Sequence, residues 1–330
     1  MFSLIIPLYN KQDSIVETLH CVLNQSFRDF EVLIVDDGSS DGSTAKVKEL
    51  MSLDSRIHLI QKPNGGVSSA RNIGIRQAKY DYVAFLDADD LWEPAYLEEQ
   101  SKLIHDFPDA SMWGCAWGVM TQHRKNPLER KVEKDFRGII PDHWQRDLHL
   151  FWTGAVVVRK SVFEQIGYFD ERIHYGEDMD MWYRIILNYP VAYNDNTLAW
   201  YCQDAENRAM DKEIPLDKHL PYYIEKYAVF RKDNKEFRRY FDRECLYRLY
   251  PYALKNRKDP DLQRILDQID FSLQKASFRF RFWFPEIYNW YLKRKGFVSK
   301  VDFLLKTAKS QRRKAIAINI FIFSVLATWR

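Results

Sequence analysis

Up to residue 90, apolar positions fall into short runs separated by amphipathic stretches. The run from Ser3 to Leu8 reads as a strand ended by Pro7 and Asn10, and Ile15, Leu19, Val22 and Leu23 recur at helical spacing. A second strand, Glu31 to Val35, stops at Asp36-Asp37-Gly38-Ser39. Thr44 to Met51 is helical and Arg56 to Ile60 is a third strand. The turn Asn64-Gly65-Gly66 leads into a helix through Ala70, Ile73, Ile75 and Ala78. Tyr82 to Leu86 is a fourth strand and ends at Asp87-Ala88-Asp89-Asp90. Short apolar strands alternating with helices predict a parallel sheet with helices on both faces, an α/β fold.

From Ala110 to about residue 210 the pattern is mixed. Ala155 to Val158 reads as a strand, and Asp180 to Leu187 as a helix opened by Gly176-Glu177-Asp178. Beyond Leu216 the chain becomes charged, helical and rich in Tyr, Phe and Arg, which places a boundary between residues 1–215 and 216–330. No internal repeat is visible.

Composition narrows the function classes. The chain has 330 residues, long enough for two domains and a large core without disulfide or metal staples. Its 46% hydrophobic and 29% charged residues exclude a disordered chain. Lys and Arg number 49 against 46 Asp and Glu, and a net charge of +3 argues against a general nucleic-acid binder. The four cysteines form no C-x-x-C pair and are expected to be buried thiols in a reducing compartment. The start, MFSLIIPLYN, lacks a basic n-region and is read as a first strand rather than a signal peptide. No run reaches the roughly 18 apolar residues of a spanning helix.

Open parallel sheets bind ligands at the C-terminal ends of their strands, where both acidic clusters are expected. In an extended D-x-D turn, Asp87 and Asp89 point to one side. Mg2+ or Mn2+ suits such hard oxygens and completes its shell with water and substrate phosphate. Asp36-Asp37 reads either as a turn and helix cap or as acceptors for a base or ribose. Gly65-Gly66 lets backbone approach a ligand, with Arg71 available to a phosphate or to Asp87. The spacing is neither G-x-G-x-x-G nor a Walker loop. Glu177-Asp178 opens a helix, where the dipole favours negative charge.

Taken together, PLYN at 7–10, VDDGSSDGS at 35–43, NGGVSSARNIG at 64–74, FLDADD at 85–90, GYFDE at 167–171 and GEDMDMW at 176–182 resemble the family 2 inverting glycosyltransferases of GT-A fold over roughly residues 1 to 210. The resemblance implies a Rossmann-like nucleotide-sugar-binding domain with a mostly helical C-terminal extension, and a sugar transfer from a nucleotide-diphosphate sugar, usually a UDP-sugar. By position, Pro7, Leu8 and Tyr9 match the segment lining the base, Asp37 the carboxylate on the uracil ring and Asp36 its neighbour near the ribose. Arg71 matches an arginine near the base and phosphate, and Asp87 and Ala88 belong with the donor. Asp89, with Asp87, matches the ligand of Mg2+ or Mn2+, and Asp178 the general base, with Glu177 beside it. Asp180 is a competing base expected on a different helix face.

One departure stands out. Many relatives carry a histidine after the last strand of the domain, whereas this chain reads Tyr201-Cys202-Gln203-Asp204-Ala205-Glu206-Asn207-Arg208. Gln203, Asp204 or Arg208 is the expected substitute. The other histidines show no ligand spacing and are expected to be surface or structural.

The C-terminal text adds a partner. Arg alternates with aromatics in FRFRFWFPEIYNWY at 278–291, a pattern of membrane interfaces as well as of nucleic-acid binders. Residues 293–314 carry nine basic residues against Asp302 alone, and a fourteen-residue apolar run follows at 315–328. That is too short to span a bilayer and suited to lying on an anionic one. The expectation is a cytoplasmic enzyme, peripheral on the inner face of the cell membrane, acting on a glycan or lipid-linked glycan acceptor. A sugar nucleotidyltransferase lacks its Gly-rich phosphate loop with Lys here, and a non-catalytic nucleotide-sugar-binding protein does not require the intact acidic set.

Overall fold

The computed structural model describes residues 1–284 apart from 129–131, 142, 145–149, 207–215 and 217–219. The run at 285–330, with its basic stretch and apolar tail, lies outside the described residues. The chain divides into two compact units, at Tyr223 and Ile224.

In the first unit, chain order is β1 (Phe2–Leu8), α1 (Ile15–Leu23), β2 (Phe30–Asp36), α2 (Ser43–Leu53), β3 (Ile57–Gln61), α3 (Val67–Gln77), β4 (Tyr82–Phe85), β5 (Leu91–Trp92), α4 (Tyr96–Asp106), β6 (Met112–Thr121), β7 (Arg124–Pro127), β8 (Arg137–Ile139), β9 (Val156–Arg159), α5 (Lys160–Ile166), α6 (Glu177–Asn188) and β10 (Val191–Cys202). The strands form one sheet in the order β3-β2-β1-β4-β9-β6-β10-β5, with β7 on β6 and β8 on β10. The parallel sheet expected from the residues up to 90 is its first half. The pairs β1–β2, β1–β4 and β2–β3 are parallel, but β9 runs antiparallel to both β4 and β6. The sheet is therefore mixed, with β9 inserted antiparallel between β4 and β6.

Near-continuous apolar strands suit a sheet covered on both faces. Alternation sends Leu4, Ile6 and Leu8 of β1 to one core, with Ile15, Leu19 and Val22 of α1, Val47 of α2 and Leu97 and Leu103 of α4. Ile5 and Leu33 enter the opposite core with Ile75 of α3, Phe163 of α5 and Met181 and Trp182 of α6. Pro7 does not end β1, as the sequence suggested, but lies within it, paired with Val35 of β2. Proline lacks the ladder N–H, and this is tolerated because β4 pairs with β1 only as far as Ile5.

The second unit is helical, as the sequence indicated beyond Leu216. The α7 helix (Leu220–Lys226) crosses the division, and α8 (Ala228–Asp233), α9 (Lys235–Asn256), α10 (Pro260–Leu266) and α11 (Ala276–Trp283) follow. Tyr227, Phe237 and Phe241 pack ring to ring, and the buried carboxylate of Asp242 pairs with Arg231 at 2.7 Å.

The α3 helix sits close to the sheet because Gly74 has no side chain. A Cβ there would lie 2.5 Å from Cγ2 of buried Ile5. Alanine gains about 1 kcal/mol of helix propensity, but overpacking a filled core costs about 1–3 kcal/mol. Gly74→Ala is therefore expected to lower the urea midpoint, and an unchanged or higher midpoint would show that α3 can retreat from β1.

Candidate functional site

The acidic motifs gather at the C-terminal edge of the parallel strands. Asp36 ends β2, and its carboxylate is used within the fold. Its Oδ1 accepts the Ser39 N–H at 2.9 Å, and its Oδ2 accepts the Thr44 hydroxyl at 2.6 Å. It thereby fixes the turn into α2. Asp37 organises the next loop. Its Oδ1 accepts Lys62 Nζ and the Gly65 N–H, and its Oδ2 accepts the Gly66 N–H at 2.8 Å. Gly66 adopts φ +90°, a conformation that glycine takes without strain. Asp37 is thus the anchor of the 62–66 loop. Beside it Leu8 is buried, Pro7 half-buried and Tyr9 39% exposed.

The D-x-D turn follows β4. Ala88 is buried in the core, which turns Asp87 and Asp89 away from it. Asp89 is a largely shielded carboxylate. Its side chain is 11% exposed, and Oδ2 accepts Lys11 Nζ at 2.6 Å. Burial pushes its pKa up despite the pull of Lys11. Asp90 is wholly buried. One oxygen accepts the Cys202 N–H at 2.9 Å, and the other has no hydrogen-bond partner among the described residues. Burial, then Asp89 and Asp87, push its pKa well up.

Arg71 of α3 joins this turn to the second acidic motif. It is 2% exposed. Its Nη2 donates to Asp87 Oδ1 at 2.8 Å and its Nη1 to Glu177 Oε1 at 2.7 Å. Of the two partners open to it from sequence, phosphate or Asp87, the guanidinium meets Asp87. Burial opposes its charge, but Asp87, Glu177 and Asp178 outweigh that and hold its pKa above the ordinary value. Glu177 is pushed up by burial and then by Asp178, more than Arg71 pulls it down.

Asp178 opens α6 next to that pair. Its Oδ1 accepts the Met179 N–H at 2.7 Å, and its Oδ2 accepts the Thr153 hydroxyl at 3.1 Å. Asp180 is fully buried and pairs with Arg184 at 2.9 Å, one turn along α6, so it holds the helix rather than competing as a base. Beside Thr153, the half-buried Trp152 packs against Trp117 at 5.2 Å and Tyr201 at 5.8 Å.

Of the residues expected in place of the missing histidine, Asp204 spends its carboxylate on the backbone N–H of Gln122, and Arg208 lies outside the described residues. The Gln203 N–H donates to the Met120 carbonyl. His143 is buried and stacked on Phe151, and burial lowers its pKa to about 3. Two lysines that meet these carboxylates escaped the sequence reading. Lys11 directly follows PLYN, which is the only local signal for it, and Lys62 has none.

No group of three or more His, Cys, Asp or Glu able to hold a metal occurs among the described residues. The donor set nonetheless fits Mg2+ or Mn2+. Asp87 and Asp89 offer hard oxygens from one turn. Such cations keep several waters and accept one or two carboxylates plus phosphate.

Removing one partner of a buried ion pair typically costs about 3–5 kcal/mol. Arg71→Met strands two carboxylates, so a loss of that order is expected in urea denaturation, and Arg71→Lys should recover only part because a point charge cannot fork to both. A loss under about 1 kcal/mol for Arg71→Met would show that Asp87 and Glu177 relax to solvent.

Similarity to known proteins bears on the family and the fold. A sequence profile described as Glycosyl transferase family 2 matches residues 3–167. The chain is 29% identical over 185 residues to EpsJ of Bacillus subtilis (strain 168), an uncharacterized glycosyltransferase, covering 54% of each protein. It is 43% identical over 105 residues to TuaG of the same organism, a candidate teichuronic acid biosynthesis glycosyltransferase, covering 32% of this chain and 42% of TuaG. The chain thus spans about half the length, or less, of these curated relatives. Among solved structures, S. aureus TarS 1-349 in complex with UDP-GlcNAc superposes with a TM-score of 0.62 at 20% identity, covering 82% of both chains. That likeness shows the fold, the GT-A arrangement implied by the motifs. With the profile spanning half of its length, the chain belongs to glycosyl transferase family 2.

Proposed function

We propose that this chain is a metal-dependent, inverting glycosyltransferase that moves a sugar from a UDP-sugar to a hydroxyl of a glycan, lipid-linked in its natural setting. The observation that carries the reading is the Arg71 fork, which ties Asp87 of the D-x-D turn to Glu177 beside Asp178. One rigid guanidinium thereby sets the donor side against the acceptor side.

In this reading Asp178 is the general base. It takes the acceptor O–H proton as that oxygen bonds to C1 of the sugar. The C1–phosphate bond breaks on the opposite face, and its electron pair leaves with UDP. The Thr153 hydroxyl and the Met179 N–H orient the carboxylate, which is what positional catalysis requires. Asp37 holds the uracil through the loop it anchors, and Asp36 shapes the turn nearer the ribose. Asp89 and Asp87 would hold Mg2+ or Mn2+, which supplies Lewis-acid stabilisation of the leaving diphosphate. The half-buried faces of Trp152, Trp117 and Tyr201 offer an apolar wall to the acceptor sugar. UDP-GlcNAc bound to TarS supports the donor class, and the name of TuaG supports a surface-polysaccharide acceptor.

The decisive test is a panel of nucleotide sugars assayed for product. Free UDP supports transfer, whereas pyrophosphate would identify a nucleotidyltransferase and no turnover a binding module. Asp178→Asn should still bind UDP in calorimetry yet lose transfer by roughly 10²-fold or more. Loss of UDP binding in that variant would assign Asp178 to the donor site instead.

The same reading places the protein peripherally on the cytoplasmic face of the cell membrane. Among the described residues no helix is long and apolar enough to cross a membrane. The support for peripheral contact is the basic run at 293–314 before the apolar run at 315–328. Each cation near an anionic leaflet contributes up to about 1 kcal/mol. The full chain should co-sediment with vesicles containing phosphatidylserine, weakened but not abolished by high salt. Failure to sediment at low salt would overturn this partner.

A further inference from the structure

Lys11 is the cation that meets Asp89 among the described residues, and it does more than neutralise it. Its ammonium lies 2.6 Å from Asp89 Oδ2 and also donates to the main-chain carbonyl of Glu206. Both partners of the ion pair are largely shielded, their side chains being 12% and 11% exposed. The Glu206 carboxylate in turn accepts the Asp13 N–H at 3.0 Å and the Ser14 hydroxyl at 3.1 Å, at the entry to α1. A closed ring of contacts therefore runs from the segment after β10, through Lys11, to the D-x-D turn.

The end of β10 and the segment after it meet the D-x-D turn twice, directly where the Cys202 N–H donates to Asp90 and through Lys11 where Glu206 is joined to Asp89. The ammonium sits on an oxygen of the carboxylate that the proposed function gives to a divalent cation. Two positive groups cannot share that carboxylate without repulsion, and the shielding of the pair weakens screening by water. A nucleotide diphosphate changes the balance. It brings anionic oxygens that can accept the ammonium once Asp89 turns to the metal, and Lys is suited to phosphate as a compact, mobile point charge.

We infer that Lys11 is a donor-binding residue that competes with the divalent cation for Asp89 and passes to the donor diphosphate when both bind. This rests on the nucleotide-sugar reading above. Its consequence is thermodynamic. Cation alone must displace an ion pair, whereas cation with nucleotide diphosphate gives the displaced lysine a new partner, so each ligand tightens the other by the same factor.

The test is Mn2+ binding, read by the electron paramagnetic resonance of the free ion, with and without UDP. The proteins are the full chain, Lys11→Met, Lys11→Gln and Asp89→Asn, each checked for an unchanged thermal melt. Gln keeps a donor for the Glu206 carbonyl but removes the charge, so either Lys11 variant suffices if the other fails to fold. Without UDP, the Lys11 variants should bind Mn2+ roughly tenfold tighter than the natural chain, and the enhancement by UDP should shrink by a similar factor. Equal or weaker Mn2+ binding by the Lys11 variants, with binding lost in Asp89→Asn, overturns the inference and leaves the function standing. Tighter Mn2+ binding with undiminished enhancement by UDP overturns the passage to diphosphate. Full Mn2+ binding by Asp89→Asn overturns the D-x-D metal assignment, and the role of Lys11 falls with it.

Discussion

A guanidinium cannot be carried into a protein interior without anions to meet it, and Arg71 is 2% exposed. Its two forks end on Asp87 and Glu177, carboxylates from segments far apart in the chain. The turn after β4 and the start of α6 are therefore held at a fixed separation by a planar, five-donor group. Asp178 inherits its position from that constraint, with Thr153 supplying the remaining support. The site is preorganised because the alternative, a buried cation with one anion missing, is costly.

The second constraint is crowding of negative charge. Asp87, Asp89 and Asp90 lie within one turn, and burial and mutual repulsion raise the pKa values of Asp89 and Asp90. Arg71 and Lys11 neutralise the two outward carboxylates, while the inner one keeps an oxygen without a partner among the described residues. A fold optimised for stability alone would not concentrate acids so, and perturbed carboxylates crowded at a strand end are characteristic of functional sites. Asp36 and Asp37 differ in kind. Their oxygens are spent on backbone N–H groups, a hydroxyl and a lysine, so they shape the loops at the strand ends.

The strand–helix alternation through residue 90 was legible because it is local. Apolar runs and turn residues report directly on a strand buried on both faces, and the D-x-D and E-D pairs lie where chain direction changes. The mixed second half of the sheet was not legible. Strand direction in β9 and β10 depends on pairings between residues distant in sequence, and periodicity carries no information about direction. Pro7 was misread as a terminator for a related reason, since only the missing β4 partner at that level makes a strand proline acceptable.

The sequence by itself determined the fold class, the family and the acidic residues that line the strand ends, because those depend on residue type and short spacing. Tertiary structure alone decided how their charges are compensated. Arg71 on Asp87 and Glu177, Lys62 on Asp37, Lys11 on Asp89 and Arg184 on Asp180 are pairings across space, and all but the last join separate elements. Which cation reaches which carboxylate follows from burial and the few ångströms over which an ion pair acts, and neither quantity is written in the order of residues.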